Sequence, residues 1–152
     1  MRYVLIDRIT ALVPGQSLAA IKNVSYGDDL VTRYAPGLSA LPAAMVLEAM
    51  AQAAGLLVAA SITSLAQPVL AKVQPFSMYG HARPGDCLAI RAKLEEIRTE
   101  GCRSRVAASI DGRVLADATI HLALVPLDGV DGSAHASALR AVLADTFPGW
   151  FR

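Results

Sequence analysis

The side chains in this sequence that could carry chemistry concentrate in one block. Glu48 and Gln52 stand one helical turn apart, hence on one face, inside a stretch from Leu41 to Ser61 that is otherwise almost wholly apolar or alanine. With neighbours such as Met45, Leu47, Ala49 and residues 51–54, a carboxyl at position 48 has little exposed helix face to occupy. We therefore read Glu48 as an interior group able to give or take a proton, not as a solvated surface charge. Upstream, Arg33, Tyr34, Pro36 and Gly37 fall in a segment from Ser25 to Ala40 that is dense in turn formers (Gly27, Asp28, Asp29, Ser39). Irregular loops of this kind often carry functional side chains. A phenol with an unperturbed pKa of about 10 is a poor base near neutral pH, yet it can donate a hydrogen bond, and this bounds what Tyr34 can do.

The three histidines are weaker candidates. His81 lies in the turn before Pro84-Gly85, where a solvated imidazole is the ordinary state; His121 sits between Ile120 and Leu122 in a strand pattern, pointing opposite to both; His135 falls in a polar linker. None has a carboxylate or cysteine at metal-ligand spacing, so no metal and no other cofactor is expected. Cys87 and Cys102 are too few for a disulfide framework and suit a reducing cytoplasm.

The elements that must position these groups read as an α+β domain. A strand running from Tyr3 towards Val13 ends at Pro14-Gly15, and Ser17 to Val24 reads as its hairpin partner. After the loop, Pro42 suits the first turn of a helix that continues from Ala43 to about Ser61. Its alanines and Gly55 keep it slim, as close contact with an enclosing sheet requires. Val69 to Met78 reads as a strand in which Pro75 marks an edge or a bulge. Beyond the turn at Pro84-Gly85-Asp86, Cys87 to Ile97, Cys102 to Ile110 and Val114 to Leu124 read as antiparallel strands, the last two joined by the hairpin dipeptide Asp111-Gly112. The domain is expected over residues 1–126, with residues 127–152 forming a linker and a short C-terminal helix packed on it.

Bulk properties narrow the partners. A chain of 152 residues suits one domain, burying roughly 70% of the surface its unfolded form exposes. A net charge of +1, with scattered Lys and Arg, argues against nucleic acid or an anionic membrane as partner. Asp7 interrupts the N-terminal apolar run before it reaches signal-peptide length, so a cytoplasmic protein is expected. Leu41 to Ser61 has about the ~20 residues a membrane span needs, but Glu48, Gln52 and the many alanines favour a helix buried inside a soluble fold.

The block Tyr34-Ala35-Pro36-Gly37-Leu38-Ser39-Ala40-Leu41-Pro42-Ala43, continuing to Glu48-Ala49-Met50-Ala51-Gln52, resembles the signature of the 3-hydroxyacyl-ACP dehydratases: His-Phe-Pro-Gly on a loop, then Pro-Gly opening a helix that contains Glu-Ala-Met-Ala-Gln. The similarity extends to Leu5-Ile6-Asp7-Arg8, Ala20-Ile21-Lys22-Asn23-Val24, Arg83-Pro84-Gly85-Asp86, and Asp111-Gly112 with Ala116-Asp117-Ala118-Thr119, covering about Tyr3 to Leu124. The resemblance implies a hot-dog fold, a curved antiparallel sheet of about six strands wrapped round one long helix. It also implies a homodimer, its sheet continued edge to edge and open to a higher oligomer such as a trimer of dimers, with a tunnel at the interface where a loop histidine of one subunit meets a helix glutamate of the other. There water is removed from a 3-hydroxyacyl group carried on acyl carrier protein.

Carried over residue by residue, the resemblance implies Glu48 and Tyr34 as catalytic positions and Arg33, Pro36, Gly37, Ala43 and Gln52 as substrate-binding ones. The departures bear on activity. Tyr34 occupies the histidine position, fourteen residues ahead of Glu48. Arg33 replaces a small residue; it either faces solvent or meets the phosphate of a carrier-protein or coenzyme A arm. Ala35 replaces an aromatic, and Ala43 replaces the glycine opening the helix while keeping the N–H that polarises a thioester carbonyl. Three functions fit: a divergent dehydratase; a non-catalytic subunit that binds acyl chains or carrier protein and pairs, as a heterodimer, with an active homologue; or a hot-dog thioesterase.

Overall fold

A computed structural model of the chain describes residues 4–29, 31, 37, 39–62, 66–127, 137, 141 and 143–150. Six strands and one long helix follow in the order β1 (Arg8–Val13), β2 (Ser17–Asn23), α1 (Ala43–Ser61), β3 (Ala66–Met78), β4 (Cys87–Ile97), β5 (Gly101–Ile110) and β6 (Arg113–Pro126). They form a single antiparallel sheet of strand order β1-β2-β4-β5-β6-β3. The fold is the α+β hot-dog architecture that the resemblance implies, with α1 packed against strands β2 to β6.

Alternation along the strands decides which face meets the helix. Leu18 and Ala20 of β2, Leu88, Ile90 and Ala92 of β4, Val106 and Ala108 of β5, and Ala116, Ala118 and Ile120 of β6 are all buried. The helix answers with Ala49, Ala53 and Ala54 beside Val46, Met50, Leu57 and Val58. Small residues on both surfaces let backbone approach backbone, while the larger side chains fill what remains at about 1.5–3 kcal/mol each on full burial. The helix has the length and hydropathy to cross a bilayer, but half of that window is buried inside this fold. The outer face of β4 and β5 is charged: Glu95 accepts from Arg103 at 3.2 Å and from Arg105 at 3.1 Å. Such exposed pairs add little to stability.

Several boundaries differ from the sequence reading. Residues 4–7 precede β1 instead of belonging to it; Leu5 and Ile6 are buried there, and the Asp7 N–H donates to the Ile21 carbonyl at 2.9 Å. β3 starts at Ala66 and β6 runs on to Pro126 because the two pair from Ala66↔Pro126 through Met78↔Ala116. β3 is an edge strand, so Pro68 and Pro75 cost no ladder hydrogen bond on the free side, and Pro75 falls at the register shift between Val73 and Phe76. Asp111 and Gly112 both adopt positive φ, 49° and 78°, as a tight hairpin requires. Pro42 caps α1 instead of lying in its first turn: its ψ of 145° is extended, and Ala43 is the first helical residue.

Near the C-terminus, residues 143–146 are helical and Phe147 is buried with the main core, its N–H donating to the Leu143 carbonyl at 2.8 Å. Most of the expected linker, including His135, lies outside the described residues.

Candidate active site

The start of α1 is held from two sides. The Leu41 N–H donates to the Ala82 carbonyl at 2.8 Å, an isolated antiparallel bridge that ties the helix entry to the turn after β3. That turn is itself fixed to the end of β2: the Gly85 N–H donates to the Val24 carbonyl and the Val24 N–H to the Asp86 carbonyl, both at 2.9 Å, while an Asp86 carboxylate oxygen accepts from the Arg83 N–H at 2.6 Å. The Arg83-Pro84-Gly85-Asp86 motif thus acts as a clamp between sheet and helix.

Within the first turn, the Pro42 carbonyl accepts from Met45 at 2.8 Å and from Val46 at 3.1 Å. The N–H groups of Ala43 and Ala44 precede the first intrahelical donors, and Ala43 and Ala44 are exposed. They form the electropositive end of the helix, suited to a carbonyl or other electron-rich oxygen. Pro42 and Ala43 border a cleft of about 520 Å³ lined by residues 40–43 and 78–81.

Glu48 lies five residues further on, about 7 Å along the helix axis, and is half-buried. Its Oε1 accepts from Gln52 Nε2 at 3.1 Å, and Gln52 Oε1 in turn accepts from the Leu5 N–H at 2.9 Å. Gln52 therefore links the carboxyl to the segment before β1. Ala49 and Ala53, which follow Glu48 and Gln52 in the chain, are fully buried, as is Val46.

Of the positions singled out in the sequence, Glu48 and Gln52 are in direct contact, and Ala43 stands at the helix start on the cleft wall. Gly37 is an exposed turn residue with φ of +83°, a conformation L side chains rarely adopt, which accounts for glycine there. Arg33, Tyr34 and Pro36 lie outside the described residues. His81 is exposed in its turn and His121 is half-buried beside Glu96 and Arg103 on the outer face of the sheet. Burial pushes the Cys102 thiol up from its usual pKa, partly offset by a hydrogen bond with the Leu122 backbone.

Two features escaped the sequence reading: the anchoring of Gln52 by Leu5, and the placement of Met78 to His81 opposite the helix start. Leu5-Ile6-Asp7-Arg8 was visible as a motif, but its contact across 47 positions has no local signal.

Residues 1–122 match the FabA-like domain family. The chain is similar to 3-hydroxyacyl-[acyl-carrier-protein] dehydratase FabZ of Ruminiclostridium cellulolyticum, 30% identical over 123 residues that cover 80% of this chain and 87% of that protein. Among solved structures it resembles a Streptococcus mutans protein bound to acetyl CoA, with a TM-score of 0.67 and 16% identity over 83% of this chain and 94% of that one. It also resembles a chain of the dehydratase heterocomplex ApeI:P of Xenorhabdus doucetiae, with a TM-score of 0.67 and 16% identity over 87% and 88% of the two chains. At that identity the structural likenesses speak for the fold; the relationship in sequence goes further, and the chain belongs to the FabA-like family together with the 3-hydroxyacyl-ACP dehydratases.

Proposed function

We propose that this chain binds acyl groups held as thioesters on acyl carrier protein or coenzyme A, and that it acts as a dehydratase converting a 3-hydroxyacyl thioester to the trans-2-enoyl thioester. The observation that carries this reading is the Glu48 carboxyl, half-buried on the core helix and oriented by Gln52, one and a half turns from the free N–H groups that open the same helix. The reaction breaks the C2–H and C3–O bonds, forms the C2=C3 double bond and releases water. The Glu48 carboxylate takes the C2 proton and returns it to the hydroxyl that leaves C3 as water, the Ala43 N–H polarises the thioester carbonyl, and the Tyr34 phenol donates a hydrogen bond from the loop side. Arg33, Pro36 and Gly37 complete that side, with Arg33 suited to the phosphate of the substrate arm.

The working form in this reading is a cytoplasmic homodimer joined through β3, the edge strand that presents Val69 and Leu70 to solvent at 42% and 44% exposure. A second reading is supported by Tyr34 itself. A phenol in place of the family's imidazole suits a subunit that binds the acyl chain and depends on an active homologue for its base, and a chain of similar fold comes from a dehydratase heterocomplex.

Purified protein is assayed with 3-hydroxyacyl-ACP and enoyl-ACP, alone and as Glu48→Ala. Turnover by the unmodified protein that disappears in the variant supports the dehydratase; acyl-ACP binding with no turnover supports the second reading; release of free acid and thiol points to a thioesterase; no binding at all overturns every form of the proposal.

A further inference from the structure

We propose that the outer face of the sheet carries a second binding site, built by Lys93, Arg103, Arg105 and Thr119, for the diphosphate group of a small ligand. It goes beyond the reading above and does not depend on it, since α1 packs on the opposite face. A shallow depression lined by residues 93–95, Arg103, Arg105 and Thr119 has a volume of about 650 Å³, within the ~300–1,000 Å³ range of small-molecule sites. Three of its lining side chains are cations and one, Glu95, is a carboxylate, so the depression is electropositive. The strand register sets Lys93 directly opposite Arg105, and Arg105 opposite Thr119. Like charges facing each other across a ladder destabilise it, and an anion seated between them removes that repulsion.

Glu95 orients the cations without cancelling them. It sits at the register shift between Leu94 and Glu96, and its two carboxylate oxygens meet Arg105 Nε at 3.1 Å and Arg103 Nε at 3.2 Å. Its side chain is also the deepest of the three, 25% exposed against 44% for Arg103 and 71% for Arg105, so the carboxylate lies beneath and the guanidinium groups face outward. Planar guanidinium groups held this way suit phosphate oxygens; Lys93 adds a compact charge and the Thr119 hydroxyl a further donor. The spacing favours two linked phosphates. Lys93 and Arg105 are cross-strand neighbours, about 5 Å apart at the backbone, and Arg103 stands two residues from Arg105 along β5, about 7 Å. A single phosphate bridges the first spacing, whereas a diphosphate bridges both. Glu96, opposite Arg103, and Asp117, two residues before Thr119, bound the patch, which suits a small anion and not a polymer backbone.

The test measures binding of pyrophosphate, inorganic phosphate, ADP and coenzyme A by calorimetry at low salt. It compares the unmodified protein with Lys93→Ala, Lys93→Arg and Arg113→Ala, the last removing an exposed cation at the far end of β6 from Thr119. We expect saturable binding of pyrophosphate, tighter than that of phosphate, which weakens about 10-fold in Lys93→Ala, holds in Lys93→Arg and Arg113→Ala, and falls as ionic strength rises. Coenzyme A binding that weakens in step with pyrophosphate in Lys93→Ala makes a thioester arm the source of the diphosphate; a loss for ADP without one for coenzyme A makes the source a free nucleotide. Equal affinity for phosphate and pyrophosphate overturns the diphosphate assignment. Pyrophosphate that does not bind, or that loses as much affinity in Arg113→Ala as in Lys93→Ala, overturns the site itself, and neither result touches the dehydratase reading, which the turnover assay decides separately.

Discussion

The side-chain amide of Gln52 joins Glu48 to the Leu5 backbone, donating to the carboxylate at 3.1 Å and accepting from the Leu5 N–H at 2.9 Å. A glutamate free on a helix surface samples many rotamers; one tethered this way is restricted to few. Gln52→Leu removes the tether and leaves a partly buried N–H without its acceptor. We expect a loss of about 1–3 kcal/mol in urea unfolding, whereas Glu48→Gln, which can still accept from Gln52, should unfold within ~1 kcal/mol of the unmodified protein while losing turnover.

Tyr34→His restores the family's residue at the loop position. If the loop site is intact, dehydration should rise by roughly 100-fold or more over the unmodified protein, measured as enoyl-ACP formation. No gain would place the defect elsewhere, first at Ala43 or Ala35.

Leu57 is fully buried on α1 in the core cluster. Its truncation to alanine opens a cavity that the enclosing sheet cannot collapse to fill, at a cost of about 2–5 kcal/mol by chemical denaturation. The same change at Leu70, which is 44% exposed on β3, should cost far less in a monomer.

Leu70→Asp therefore probes assembly. If β3 pairs with β3 of a second chain, a carboxylate there should convert the dimer to a monomer in light scattering, with far-ultraviolet circular dichroism retained. A dimer that persists at micromolar concentration would assign assembly to another face.

The raised pKa of Cys102 carries a stability consequence with a definite sign. The folded thiol holds its proton to higher pH than the unfolded one, so the contribution is fully present below the unfolded value of about 8.5 and is lost as pH rises through and beyond it. Cys102→Val should flatten this alkaline decline in denaturation curves. In the native state, a thiol reagent should label the exposed Cys87 quickly and the buried Cys102 only after unfolding.

Much of the scaffold was legible because its signals are local. Asp111-Gly112 encodes a positive-φ turn through its own backbone preferences, the run of small helix formers after Pro42 states both the helix and its slimness, and alternation in β4, β5 and β6 separates inner from outer face. The pairing of Glu48 with Gln52 was also readable, since residues one turn apart on a helix must be neighbours. The ends of β1 and β6 were not, because strand limits are set by the partner strand: β6 extends to Pro126 only where Ala66 is there to pair with it.

By itself, then, the sequence determined the architecture, the family and the departure at Tyr34, all of which depend on residue type, order and short-range periodicity. The tertiary structure alone decided that Leu5 anchors Gln52, that β3 lies at the far edge beside β6, and that residues 40–43 and 78–81 line one cleft. Each of these joins segments far apart in the chain. Such contacts follow from how the sheet closes on the helix, and chain-local chemistry does not encode that closure.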